Sequence, residues 1–299
     1  MIFDATGGEP RFSEMMPPTS AAGFRRTLIK LLKSKLTCTG AVIVLFWLFL
    51  GIFARYFSPY GPLDVEMSIR LMPPGFSGHL MGTDNFGRDI FSRLMSGARI
   101  SLGLGVCSVA ISLVAGVLTG GIAGYYGGKA SGLLMRFMDI VQAFPTLVLV
   151  ISLSLAMGRN TYSAMLAIGI AATPQFARLT YAQTSLISTG PMVESARAMG
   201  IPEPLILFRH VLPNCLPVII VRVSFSLGSS ILSLASLSFL GIGVKAPTPE
   251  WGAMISDSRN FIISGEWWLF TFPGLAIASL ILAFNLLGDG LRNVLDPHS

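Results

Sequence analysis

Charged residues are scarce in this sequence. Asp, Glu, Lys and Arg make up 12% of the 299 residues, whereas 52% are hydrophobic; soluble domains carry about 25% charged residues. The mean hydropathy of +0.68 agrees with this imbalance. The composition therefore excludes an ordinary soluble domain and predicts an integral membrane protein. The net charge of +6 comes from dispersed basic residues, so no nucleic-acid partner is predicted.

Cysteine and histidine are also scarce. The three cysteines and three histidines lie far apart, and no pair has the spacing of metal ligands. No group of nucleophile, base and acid is found, so we predict no catalytic residue, no metal site and no cofactor bound by this chain. The segment 124–130 ends like a phosphate-binding loop but lacks a Ser or Thr after Lys129. ATP hydrolysis by this chain is therefore not predicted.

Long apolar runs, in contrast, are abundant. A helix needs about 20 apolar residues to cross the hydrocarbon of a bilayer. Six runs approach or exceed this length: 36–54, 100–123, 137–157, 161–179, 213–241 and 270–288. No small-residue cleavage pattern follows the first run, so we predict that it stays as an anchor rather than leaving as a signal peptide. The sequence thus predicts an all-α protein with six transmembrane helices.

Basic residues predict the orientation of these spans. They cluster before the first run, and such residues favour the cytoplasmic side. An even number of spans then places both termini in the cytoplasm. The same topology predicts outer loops at 55–99 and 242–269 and a cytoplasmic loop at about 180–212.

The cytoplasmic loop has the pattern of two short helices. Gly190 and Pro191 suit a helix start, and Gly200 suits the left-handed residue that ends a helix. Pro202 opens a second helix, which we predict to stop before Pro213.

The first short helix has two distinct faces. Met192, Ala196 and Met199 form a narrow apolar face, while Glu194 and Arg197 lie three residues apart and are predicted to pair. A helix of this length is marginal alone, so it must pack on something. An interfacial helix lying on the bilayer is one alternative, but its apolar face is small for that purpose. A groove on a soluble partner is the favoured interpretation.

The loop also carries a resemblance. The sequence Glu194-Ser-Ala-Arg-Ala-Met-Gly200, followed by His210-Val-Leu-Pro213, resembles the EAA loop of importer permeases of the ATP-binding cassette (ABC) type. Ser195 and His210 depart from the general pattern. A histidine at position 210 resembles the form of this loop in the dipeptide and oligopeptide branch. The likeness covers about 25–297, with further similar segments at 82–93, 97–102, 136–145, 238–243, 249–254 and 284–292.

The resemblance implies a fold and a domain division. The fold would be one N-terminal anchor span plus a five-helix core of type I ABC importers. Residues 1–35 would form a cytoplasmic segment, 36–99 the anchor span and periplasmic loop, 100–290 the permease core, and 291–299 a cytoplasmic tail.

The resemblance also implies a function and partners. The chain would be the "C"-type permease subunit of a di- or oligopeptide importer in the bacterial inner membrane. It would pair with a second permease subunit, two cytoplasmic ATP-binding subunits that hold ATP and Mg²⁺, and an extracytoplasmic substrate-binding protein. The loop would be the coupling helix that docks on an ATPase. Its coupling residues would be Met192, Glu194, Ala196, Arg197, Met199, Gly200 and Pro213.

Other polar residues leave alternatives open. Ser226, Ser229, Ser233 and Ser236 form one hydroxyl stripe, which either lines the translocation path or packs helices together. Arg222, within the same span, could snorkel inward, contact a lipid phosphate or bond with Asp289.

A stripe of small residues marks the second span. Ser108, Ser112, Gly116, Gly120 and Gly124 recur at every fourth position. This spacing predicts close approach of another helix.

The first outer loop suggests a docking surface. Asp84, Arg88, Asp89 and Arg93 have helical spacing, so they form either a solvated or interfacial helix or a surface that receives the binding protein. Trp251 is a second candidate for that surface, or an interfacial residue.

Other functions remain as alternatives. The same architecture could import glutathione, nickel complexes or D-amino-acid peptides. An ion-gradient-driven carrier would need essential buried carboxylates, and a membrane-bound enzyme would need a polar catalytic cluster. The sequence shows neither of these features.

Overall fold

The computed structural model describes residues 34–261 and 263–295. Its regular structure is helical: α1 Lys35–Phe57, α2 Ile90–Tyr126, α3 Gly128–Ala143, α4 Thr146–Ala156, α5 Thr161–Ser188, α6 Pro191–Ala198, α7 Glu203–Phe239, α8 Trp251–Ser258 and α9 Trp268–Leu295. Short 3₁₀ turns cover Met67–Ile69 and Arg259–Phe261. The basic cluster before residue 34 and the end of the tail from 296 lie outside the described residues.

Several of these helices are long enough to span a membrane. Four described helices, α1, α2, α7 and α9, are long and apolar enough to cross a bilayer, and a bent pair, α3 with α4, brings the number to five. Helix α5 has 28 residues but is less apolar. The all-α membrane fold is confirmed, and the predicted count of six is roughly consistent with it.

The predicted third span, 137–157, is wrong as one continuous helix. Helices α3 and α4 meet at a bend of 96°. Phe144, at the break, has an extended backbone, with φ −76° and ψ 138°. Proline pushes the residue before it out of the helical region, so Pro145 accounts for the break.

The small-residue stripe lies where α2 packs on α5. A Cβ atom on Gly116 would lie 2.8 Å from the carbonyl oxygen of Thr173, and one on Gly124 would lie 2.6 Å from that of Tyr181. The hydroxyl of Ser108 donates to the carbonyl oxygen of Met165 at 3.1 Å. The predicted close helix approach is therefore confirmed, and it fixes α2 and α5 side by side.

The anchor helix α1 packs on the rest of the bundle. Trp47 donates its indole N–H to Ser279 of α9 at 2.9 Å and stacks edge-on against Trp251, with ring centroids 4.9 Å apart. Both indoles belong to one buried apolar cluster with residues of α2, α7 and α9. Helix α1 is thus part of the described core.

Helix α7 is longer than the sequence suggested. The predicted second short helix does not stop before Pro213; it runs from Glu203 through a π-helical turn at Leu207–Val211 into Leu212–Phe239. Pro213 lies just after the π-helical turn, inside this continuous helix, and has no backbone N–H to donate to the preceding turn. The loop at about 180–212 and the fifth span are therefore joined without a break.

Candidate functional site

Two ends of the bundle carry the predicted functional residues. Helix α6 lies near the C-terminal end of α2, where Tyr125 contacts Glu203. Helix α8 lies near the N-terminal end of α2, where the indole N–H of Trp251 donates to the carbonyl oxygen of Leu94 at 3.0 Å. We call these the α6 end and the α8 end.

Helix α6 ends in the way the sequence predicts. Gly200 has a φ of +74°, in the left-handed region. The amide of Ile201 donates to Ala196 at 3.1 Å and that of Gly200 to Arg197 at 2.9 Å. These two bonds form a Schellman motif, which closes the helix and turns the chain sharply.

The two faces of α6 are divided differently from the prediction. Ala196 is only 3% exposed and packs inward with Val193, in a cluster with Tyr125, Leu207 and others. Met192 and Met199 are exposed, Met199 by 72%. Ala196 is therefore not available to contact a partner, because the apolar face of this short helix is divided between the bundle and the surface.

Arg197 pairs with a residue that the sequence did not indicate. Its Nε donates to Glu203 Oε1 at 3.0 Å, so the predicted pair with Glu194 is wrong. Glu203 also accepts a hydrogen bond from the Tyr125 hydroxyl. The hydrogen bond to Glu203 raises the pKa of Arg197 above its ordinary value. Glu203 thus ties α6 and the start of α7 to the end of α2.

A polar cavity of about 240 Å³ lies between α2, α4, α5 and α7. Ser226, Ser229 and Ser233 line it, whereas Ser236 lies in a separate apolar depression beside Leu232 and Leu240. The predicted stripe is therefore divided, with three of its four members on the cavity.

Arg222 also lines this cavity. Its Nη2 donates to the side-chain oxygen of Gln175 on α5, and the predicted bond with Asp289 is not formed. Its Nε is buried and has no hydrogen-bond partner among residues 34–261 and 263–295.

The predicted docking residues at the α8 end are buried. Asp84, Arg88, Asp89 and Arg93 are each 7% exposed or less. Arg88 Nε lies 2.6 Å from Asp84 Oδ2, and its Nη2 lies 3.3 Å from Asp257 Oδ2. Both the docking surface and the solvated helix are therefore wrong for these side chains, which form an internal ion-pair network.

The helical spacing in that region was misleading. Residues 83 and 89 pair across a tight turn, and α2 begins only at Ile90, with Asp89 as its N-cap. The Asp89 carboxylate accepts hydrogen bonds from the Ser92 amide at 2.7 Å and hydroxyl at 2.6 Å. His79 bonds to the other oxygen of this carboxylate at 2.9 Å.

The prediction that Trp251 is an exposed docking residue is also wrong, because this side chain is buried. It is fully buried, and it begins α8. Glu250, just before it, caps this helix by accepting from the amides of Gly252 at 3.0 Å and Ala253 at 2.9 Å. Burial raises the pKa of Glu250 above its ordinary value.

Sequence reasoning missed Tyr125, Gln175, Glu203 and Asp257. Glu203 stands six residues after Arg197, beyond the spacing of pairs within one helix, so no local rule could find it. The other three meet their partners only through tertiary packing.

Comparison with known proteins identifies what this architecture resembles. Residues 116–299 match the family model described as a binding-protein-dependent transport system inner membrane component. The chain is 40% identical over 279 residues to the dipeptide transport system permease protein DppC of Alkalihalophilus pseudofirmus, covering 93% of this chain and 91% of that protein. It is also 40% identical over 268 residues to the glutathione transport system permease protein GsiD of Pectobacterium atrosepticum, covering 90% and 89%.

A solved structure shares the fold. A chain of the MetNI methionine ABC transporter, in inward-facing conformations, aligns with a TM-score of 0.55 at 18% identity. The alignment covers 68% of this chain and 96% of that one. The predicted core of a type I ABC importer is therefore confirmed at the level of the fold.

Proposed function

Because the chain belongs to the family of binding-protein-dependent transport system inner membrane components, we propose that it carries di- and oligopeptides through the membrane. It is a multi-pass permease subunit of an ABC importer in the inner membrane. The cargo proposal is supported by the name of the dipeptide relative. The glutathione relative, at the same identity, makes glutathione a second candidate.

Helix α6 carries the proposed coupling to an ATPase. It is a short helix with two exposed methionines, Met192 and Met199, and exposed Glu194 beside them. Its inner face is fixed to the bundle by Val193 and by the Arg197–Glu203 pair. A soluble partner that held the methionines would therefore displace α6 together with α2 and α7, which is rigid-body switching about packed interfaces.

The remaining assembly follows from this coupling. The α6 end faces the cytoplasm, together with both termini, and the α8 end faces the exterior. Two ATP-binding subunits hold ATP and Mg²⁺, a second permease subunit completes the path, and an extracytoplasmic protein delivers the cargo. The serine-lined cavity is this subunit's half of the path, supported by its position within the described bundle.

Substitution of an exposed methionine tests the coupling. We expect Met199→Asp to insert normally but to lose most ATPase association, because a carboxylate would enter an apolar contact. The measurement is pull-down of coexpressed ATP-binding subunits, with transport of a radiolabelled dipeptide as a second readout. The matched control is Ile263→Asp, which places the same charge at a 98% exposed position at the opposite end. Equal association of both variants with the ATPases would reject the proposed role of α6.

A further inference from the structure

The cavity between α2, α4, α5 and α7 holds an incompletely satisfied cation. The Arg222 guanidinium lines it, about 15 Å along α7 from Leu212 at 1.5 Å per residue. Gln175 accepts one of its hydrogen bonds, and its buried Nε has no partner in the part of the chain that the structure describes. Among the described residues, no carboxylate lies within 4.0 Å of this guanidinium.

An arginine in this position has capacity left for an anion. A guanidinium presents five N–H donors in a planar fork, and its strongest partner is a carboxylate held by two parallel hydrogen bonds. The Gln175 amide is neutral, so it satisfies a donor without balancing the charge. A charge inside a membrane protein is costly unless it is paired or faces water.

The remaining wall of the cavity combines apolar residues with serines. Two of its serine hydroxyls, on Ser226 and Ser230, are buried without a hydrogen-bond partner among the described residues. Ser229 donates its hydroxyl to the carbonyl oxygen of Phe225 at 2.9 Å, and Ser233 donates to that of Ser229 at 2.9 Å. Both hydroxyl donors are thus used within α7, and they offer a ligand only acceptor lone pairs. A volume of about 240 Å³ holds several water molecules or a small polar group.

We propose that Arg222 and Gln175 form a subsite that binds the carboxylate of the cargo during its passage. This inference rests on the proposed function, because it takes the cavity to be part of the transport path. The carboxylate takes guanidinium N–H donors that Gln175 leaves free, and the serines of α7 line the passage for the rest of the cargo. One charged contact beside neutral hydroxyls suits conduction, which requires that the cargo can also leave.

Cysteine labelling tests the subsite directly. Ser229→Cys is introduced into a full-length chain in which Cys38, Cys107 and Cys215 are replaced by alanine, assembled with its partner subunits in native membrane vesicles. We measure its modification rate by a methanethiosulfonate reagent with a sulfonate and by one with a trimethylammonium group. Ser236→Cys is the matched control, because Ser236 belongs to the same stripe but lies outside the cavity.

The positive charge of Arg222 should make the labelling rate in the cavity depend on the charge of the reagent. We expect Ser229→Cys to react faster with the anionic reagent, and the ratio of the two rates to fall about fivefold or more in Arg222→Gln. Arg222→Lys keeps the charge and preserves most of the ratio, which separates electrostatics from misfolding. The dipeptide alanylalanine slows the labelling, and its C-terminal amide does not. Ser236→Cys shows none of these effects.

Several outcomes would overturn the subsite. These are an unreactive Ser229→Cys, equal rates for the two reagents, a ratio unchanged in Arg222→Gln, or equal protection by the amide. A preference that appears only after detergent has removed bound lipid would assign Arg222 to a lipid phosphate instead. The Met199→Asp pull-down tests the proposed function independently, so the two failures are distinguishable.

Discussion

Arg88 and Asp84 form a buried ion pair at the α8 end, with Arg88 Nε 2.6 Å from Asp84 Oδ2 and the Arg88 side chain 3% exposed. Asp257 completes the charge balance from the loop that contains α8, since its Oδ2 lies 3.3 Å from Arg88 Nη2. The Arg88–Asp257 contact therefore joins the segment before α2 to the segment after α7. Its role is internal cross-linking of two loops that are distant in sequence.

Arg88→Ala should strongly destabilise the chain. The substitution removes the cation that bridges Asp84 and Asp257 and leaves Asp84 only Arg93, whose Nε lies 3.5 Å from Asp84 Oδ2. Breaking a buried pair in this way costs about 3–5 kcal/mol. The measurement is the thermal unfolding midpoint of the purified protein in detergent. Arg99→Ala, at an exposed position on α2, is the control and should change the midpoint little. Similar midpoints for the two variants would contradict the network.

Gly120→Ala should weaken the packing of α2 on α5. A Cβ atom there would collide with the backbone of Ala177, so the helices must separate, at a cost of about 1–3 kcal/mol. Gly103→Ala is the control, because a Cβ on this glycine of the same helix meets nothing within 4 Å. Unfolding in mixed micelles measures both. A neutral effect of Gly120→Ala would show that the two helices do not depend on this contact.

Gly200→Ala should loosen the end of α6. The φ of +74° costs an L-residue roughly 1–2 kcal/mol, while a Cβ at Gly200 has open space, so the effect is conformational rather than steric. We expect faster amide hydrogen exchange at Ile201, whose N–H closes the Schellman motif. Gly132→Ala on α3 also has open space but no positive φ, and it should leave exchange in α6 unchanged.

The stability of the protein should fall as the pH rises above about 4.5, in part because of Glu250. Burial raises the folded-state pKa of this carboxyl from 4.5. The folded chain then holds the proton more tightly than the unfolded chain, so its stabilising contribution is full below pH 4.5 and is lost as the pH rises through the folded pKa. Glu250→Gln should flatten this part of the profile.

Unfolding midpoints across pH 4 to 8 measure this effect. Glu250→Gln lowers the midpoint at every pH, because the amide has one oxygen with which to accept from two backbone N–H groups. Glu66→Gln, at an exposed position, is the control. A Glu250→Gln profile parallel to that of the unsubstituted chain would reject the assignment.

The sequence predicted the features that local chemistry controls. Gly200 and Pro191 defined α6 because a left-handed cap and a first-turn proline are properties of single positions. Gly116 and Gly124 predicted that another helix packs closely on α2, because small residues at a fourfold spacing permit such approach; that this helix is α5 came from the structure. Pro145 also indicates the break at Phe144, but the apolar run around it favoured one continuous span.

Burial and long-range pairing were beyond these rules. Asp84 and Arg88 have the same spacing in a solvated helix as in a buried turn, so spacing alone cannot tell whether they face water. Arg197 had a plausible partner in Glu194, and only the fold brings Glu203 closer. Arg222 likewise found Gln175 on another helix, which no periodicity of α7 indicates.

The unbroken course of α7 links two sites that lie far apart along the bundle. Glu203, which receives Arg197 and Tyr125, and Arg222, which faces the cavity, lie on a single rod about 28 Å apart at 1.5 Å per residue. The π turn between them contains an inserted residue, and each residue sets a rotation of about 100° around the rod. Continuous helix therefore joins the contacts at Glu203 to the cavity at Arg222, so a displacement of one end along the helix axis would move the other.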